Sequence, residues 1–121
     1  MRILLLGGLI MLFSQIASAD DCFEVVSHKF NDGVTLDKQK RLMGKLNDIV
    51  KTFDGFKSRD YYYSKENGRW IDFVVWESLE KAKKASEQAM QNSEAGKVFS
   101  QIEEKSMIFS HYDRVGGIGK K

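Results

Sequence analysis

"RWIDFVVW", residues 69–76, decides the fold. In an extended chain successive side chains point to opposite faces, so Ile71, Phe73 and Val75 share one face. Trp70, Asp72, Val74 and Trp76 share the other. Large apolar side chains on both faces mean that both must be covered, because a sheet with one face in water does not carry them. Just upstream, "FKSRDYYYS" (56–64) is a second extended, aromatic-rich stretch. The "KENG" between the two ends in Asn67-Gly68, a strong hairpin signal.

The pattern extends in both directions from this hairpin. "CFEVVSHKF" (22–30) reads as a strand and is ended by Asn31-Asp32-Gly33. Thr35 is placed to cap a helix over "LDKQKRLMGKLNDIVKTF", in which Leu42, Met43, Leu46, Ile49, Val50 and Phe53 form one stripe. That helix is expected to end at "DGF", where Gly55 takes the left-handed conformation. Downstream, Ser78 caps a helix with Ala82, Ala85, Ala89 and Met90 on one face, and small residues there let it lie close to a sheet. Ser93 is expected to cap a shorter helix bearing Val98, Phe99 and Ile102. "SMIFSHYDRV" (106–115) reads as the last strand and "GGIGKK" (116–121) as a flexible tail.

The order is β-α-β-β-α-β, an α+β chain with a ferredoxin-like antiparallel sheet and two helices on one face. The first and fourth strands are expected to lie near the third and second. A second copy, packed sheet to sheet, is the simplest cover for the other face, so a homodimer is expected.

Residues 1–19 read as a signal peptide: the basic "MR", the apolar "ILLLGGLIMLF", then Ala17-Ser18-Ala19. Cleavage after Ala19 would export the protein to the periplasm or beyond, and the apolar run is too short for a stable membrane span. Residues 20–115 then form one domain. The 121-residue chain carries 19 Lys+Arg against 17 Asp+Glu, interspersed, so it has no basic stripe with which to bind nucleic acid. Cys22 is the single cysteine and cannot form an internal disulfide; it either bridges two subunits or packs at the start of a strand.

The stretch "FDGFKSRDYYYSKENGRWIDFVVWESLEKAKKASEQAM" resembles the antibiotic biosynthesis monooxygenase-like family of the dimeric α+β barrel superfamily. The resemblance rests on the Asp54-Gly55-Phe56 turn, the hairpin, the Trp76-Glu77-Ser78 junction, and the alanine-rich helix. A helix restart at Ser93 to Ala95 and a closing strand from Met107 to His111-Tyr112 complete it. The resemblance implies the dimeric barrel fold. For activity it implies oxygen insertion into polycyclic phenols or quinols without metal or flavin, so no cofactor is expected. Relatives that degrade haem ligate the iron through a histidine after the third strand. Here "SEAGKVFSQI" has none, with Ser100 at about that place, which argues against haem degradation.

Chemistry-bearing candidates are few. His111 matches the closing-strand histidine of the family and is the first candidate for a general base that removes a phenolic proton; His28 is the second. Either is equally read as a histidine with its hydrogen bonds satisfied among apolar neighbours, His28 with Val26 and Phe30, His111 with Met107 and Phe109. Tyr61, Tyr63, Trp70 and Trp76 are candidate walls for a small aromatic ligand, although strand propensity and core packing account for them too. Arg59 either neutralises a developing oxyanion or is a solvent-facing partner for Asp or Glu. Asp72, if buried, needs Arg or His as partner. No Cys/His/Asp cluster has metal spacing and no glycine-rich phosphate loop opens a helix. Two functions follow: a cofactor-independent monooxygenase acting on a small aromatic or quinol-type compound, or a non-catalytic dimeric small-molecule-binding or stress-related periplasmic protein.

Overall fold

The computed structural model describes residues 21–120. The expected signal peptide, residues 1–19, lies outside them. Four antiparallel strands form one sheet: β1 (Cys22–His28), β2 (Phe56–Ser64), β3 (Arg69–Trp76) and β4 (Ile108–Tyr112), in the order β2-β3-β1-β4. Three helices, α1 (Leu36–Val50), α2 (Leu79–Gln91) and α3 (Ser93–Phe99), follow the sequence pattern, with a short 3-10 turn at Glu104–Ser106. The fourth strand pairs with the first and is an edge, with β2 at the opposite edge, so within one chain β4 does not approach the second strand as expected.

The caps show why the helices begin where they do. Thr35 accepts from the Lys38 backbone N–H, and Ser78 accepts from that of Lys81, each satisfying a donor that the first turn leaves open. At α3 the cap is Asn92, not Ser93: its side chain accepts from Ala95 N at 2.9 Å. Helix α1 stops at Val50, short of Phe53, and the chain turns through Gly55 at φ +85°. An added Cβ there would lie 2.5 Å from Lys81 Cδ, so both backbone angle and space require glycine. The expected hairpin turn has Gly68 at φ +70°, with Arg69 N–H donating to Asn67 Oδ1.

Alternation holds across the sheet. Trp70, Asp72, Val74 and Trp76 are all buried against the helices, while Ile71, Phe73 and Val75 point away from them. A bulge between Phe56 and Ser58 shifts the β2 register. It brings Phe56 over Trp76 on the face that also carries Arg59, Tyr61 and Tyr63, which plain alternation would not do. The core splits into two clusters. One gathers Phe30, Leu42, Met43, Leu46, Trp70, Val98 and Ile102; the other is built from Cys22, Val74, Trp76, Ala82 and Ala85. Cys22 is free and 3% exposed, so it packs at the start of its strand. Beyond β4, residues 113–120 are exposed and have no regular structure.

The outer face of the sheet is apolar. The Phe23 and Phe73 rings pack tilted to each other with centroids 5.8 Å apart, and Ile71, Tyr62, Ile108 and Tyr112 stand exposed on the same face. No helix of the described residues is long and apolar enough to cross a membrane.

Candidate functional site

A cavity of about 400 Å³ lies between the inner face of the sheet and the helices. It exists because α1 and α2 present different bulk. Near Trp70, α1 fills the space with Leu42 and Met43; towards Trp76, α2 offers only the small side chains of Ala82, Ala85 and Ala89. Val26, Val74, Phe53, Phe99 and Phe109 make most of the wall apolar, and the exposed Met90 borders it.

Polar groups converge on one region of this wall: Glu24 and His28 from β1, Arg59 from β2 and Asp72 from β3. Arg59 Nε and Nη2 hold Asp72 in a two-point ion pair at 2.9 and 2.8 Å. Its Nη1 donates to the Met43 carbonyl at 2.8 Å and to Asn47 Oδ1 at 2.6 Å. The guanidinium carbon also sits 4.3 Å from the Tyr61 ring centroid. Four donations therefore tie the guanidinium to the protein, so Arg59 is the buried partner of Asp72 and is not aimed at a ligand anion.

Glu24 is the residue that the sequence reading passed over. It is 8% exposed, and burial pushes its carboxyl up from 4.5 to about 7, with the Asp72 charge adding to the rise. The Trp76 indole opposes that rise from close by, although its N–H makes no hydrogen bond of ordinary geometry. Across the β1–β4 ladder Glu24 faces His111, whose Nε2 lies 3.2 Å from Glu24 Oε1. Burial, then the Lys83 charge, holds the His111 imidazole below its usual range. With a pKa of about 7 the carboxyl is divided between acid and carboxylate near neutral pH, while the ring is largely uncharged. The contact is then a hydrogen bond to a neutral imidazole and not an ion pair. One signal pointed to Glu24: it alternates with Cys22, Val26 and His28, which makes it a carboxylate on the inner face of β1.

The other candidates divide. His28 is 2% exposed and lines the cavity; its Nδ1 has no hydrogen-bond partner among the described residues. Burial is the chief reason its pKa is lowered. Trp76 lines the cavity as well. His111 reaches it only through Glu24. Trp70, Tyr61 and Tyr63 do not line it. Trp70 donates its indole N–H to Gln39 Oε1 at 2.9 Å, with Tyr63 packed at 4.9 Å and Tyr61 at 6.3 Å, and the Tyr61 hydroxyl accepts from Asn47. Ser100 donates to the Lys97 carbonyl at the end of α3.

With this geometry the chain has an antibiotic biosynthesis monooxygenase-like, ferredoxin-like α+β fold. Among solved structures it is similar to SnoaB, a cofactor-independent oxygenase from Streptomyces nogalater. That pair has a TM-score of 0.70 at 10% identity, covering 84% of this chain and 100% of that one. It is similar also to a Bordetella bronchiseptica protein assigned provisionally as an antibiotic biosynthesis monooxygenase (TM-score 0.67, 18% identity, 79% and 98% covered). A third is At3g17210 from Arabidopsis thaliana (TM-score 0.62, 16% identity, 80% and 98% covered). No family model and no curated protein matches the sequence. At these identities the likeness establishes the fold.

Proposed function

We propose that the chain is an exported, dimeric monooxygenase that oxidises a small aromatic or quinol-type compound without a cofactor. One observation carries the reading: on the sheet wall of a largely apolar cavity, Glu24, with a pKa of about 7, meets His111. A flat phenol buries its rings against Phe53, Phe99 and Trp76 and points its hydroxyl at Glu24. The Glu24 carboxylate takes the phenolic proton, with His111 bonded behind it, and a base whose pKa lies near the working pH suits that task. The electron-rich anion then transfers an electron to dioxygen, and the radical pair combines at a ring carbon. Loss of water from the resulting peroxide leaves a quinone: one oxygen atom becomes the new carbonyl and the other leaves as water.

Oxygen uptake by the purified protein, offered hydroxylated naphthalenes and anthracenes, tests the reading. Uptake should rise as pH passes through about 7 and Glu24 ionises. Glu24→Gln should reduce it by roughly a hundredfold or more. Binding with no uptake for any of these compounds would sink the monooxygenase and leave a ligand-binding protein. Export and assembly have their own tests. The secreted form should begin at Asp20, and a second copy covering Phe73, Ile71 and Tyr112 should make the protein a dimer by sedimentation, which Phe73→Lys disrupts.

A further inference from the structure

Glu24 and His111 touch each other but reach different places. Glu24 lines the cavity; His111 does not line it, and its side chain is 17% exposed on β4, an edge strand of the sheet. The Phe109 ring packs edge-on against the imidazole at 5.1 Å and helps fix its direction. A buried base that accepts a proton from a ligand must discharge it before it can work again, and the occupied cavity is apolar. We propose that His111 is a positioning residue that passes protons between Glu24, inside the cavity, and solvent at the β4 edge. The proposal rests on Glu24 being the group that takes the ligand's proton.

The step moves one proton and no electrons. The protonated Glu24 carboxyl gives its hydrogen to His111 Nε2, leaving carboxylate and imidazolium; the imidazolium then releases one proton to solvent and returns to neutral imidazole. The surroundings favour passage over storage. Asp72 and the Trp76 indole face Glu24 from β3, and Cys22 neighbours it on its own strand. Lys83 faces His111 from α2 and, together with burial, disfavours the imidazolium, so a proton arriving there is handed on.

The test follows protonation of Glu24 without any turnover. After a laser-induced pH jump, time-resolved infrared tracks the carboxylic band of Glu24, assigned by its loss in Glu24→Gln. In the wild-type chain relaxation should be fast and indifferent to added imidazole. In His111→Ala it should slow by on the order of tenfold or more and recover as imidazole is added. His111→Gln, which keeps a polar side chain at the site, should behave likewise and serves if the alanine variant fails to fold. Unchanged relaxation in a folded variant, or slowing that imidazole does not relieve, overturns the relay. Oxygen uptake plays no part in this measurement, so an intact relay without turnover would sink the proposed activity alone. Turnover with unchanged relaxation would sink the relay alone.

Discussion

Trp70 and Trp76 lie on the same face of β3, at its two ends, and are 3% and 2% exposed. Their surroundings are opposite in kind. Trp70 has its indole N–H bonded to Gln39 and is wedged among Phe30, Tyr63 and the leucines of α1. Trp76 has an indole N–H without a hydrogen bond, faces small alanines, and shares its end of the sheet with a protonatable carboxyl. The Trp70 end is closely packed and its indole is bonded, although His28, opposite it on β1, leaves Nδ1 without a partner among the described residues. The other is hollow and carries charge that burial disfavours, which a fold tolerates where it does chemistry.

The Arg59–Asp72 pair lies between the two ends, and breaking it should have the largest effect. Arg59→Met leaves a buried carboxylate without its cation and should cost about 3–5 kcal/mol in urea unfolding. Pairing it with Asp72→Leu should recover much of that loss. A double variant as unstable as the single would mean that Met43 and Asn47, not Asp72, are what Arg59 holds.

Next comes the pH dependence of stability. Glu24 has a raised folded-state pKa, so its contribution is complete below pH 4.5 and is lost as pH climbs to about 7. Glu24→Gln should therefore be more stable than wild type at pH 8, by on the order of 3 kcal/mol, with the gap closing towards pH 4. His28 has the opposite sign: its lowered pKa gives stability above the ordinary 6.5 that is lost as pH falls. His28→Asn should flatten the acid limb and leave the alkaline limb alone. Variant curves that run parallel to that of the wild type would show that neither pKa differs between the folded and the unfolded chain.

The direct comparison is smaller. Trp70→Phe removes a donor and strands the Gln39 oxygen, at about 1–3 kcal/mol. Trp76→Phe breaks no such bond and should cost less; it should also let the Glu24 pKa rise further, because the indole that opposes the rise is gone. Equal losses would erase the distinction between the ends. Smallest is Lys81→Ala, which removes exposed pairs with Glu77 and Asp54 and should leave the urea midpoint almost unmoved.

What could be read beforehand follows the same division. The filled end obeys local rules: alternation placed both tryptophans, the helical stripe named Leu42, Met43 and Leu46, and Thr35 and Ser78 cap as their positions indicate. The α3 cap fell one residue from the expected place because Asn and Ser stand side by side and both accept from a backbone N–H. The hollow end depends on contacts between distant segments. Glu24 sits in "CFEVVSH", where a single acid in a strand is ordinarily on the wet side; its meaning comes from the partner across β4, 87 residues away. Asp72 called for Arg or His if buried, but that Arg59 is that partner, buried and held also by Met43 and Asn47, depends on where α1 crosses β2.

That long separation has a consequence for how the protein is made. β1 pairs with β3 and β4, so as the nascent chain lengthens β1 waits with one edge unpaired until β4 has been synthesised. The backbone of Lys29, just past β1, bonds to Ser106 and Glu103, and Phe30 bridges to Ile102, so the segment that delivers β4 also latches onto the end of β1. Until β4 docks, β1 is joined to β3 alone, with neither His111 beside Glu24 nor Ile102 bridged to Phe30.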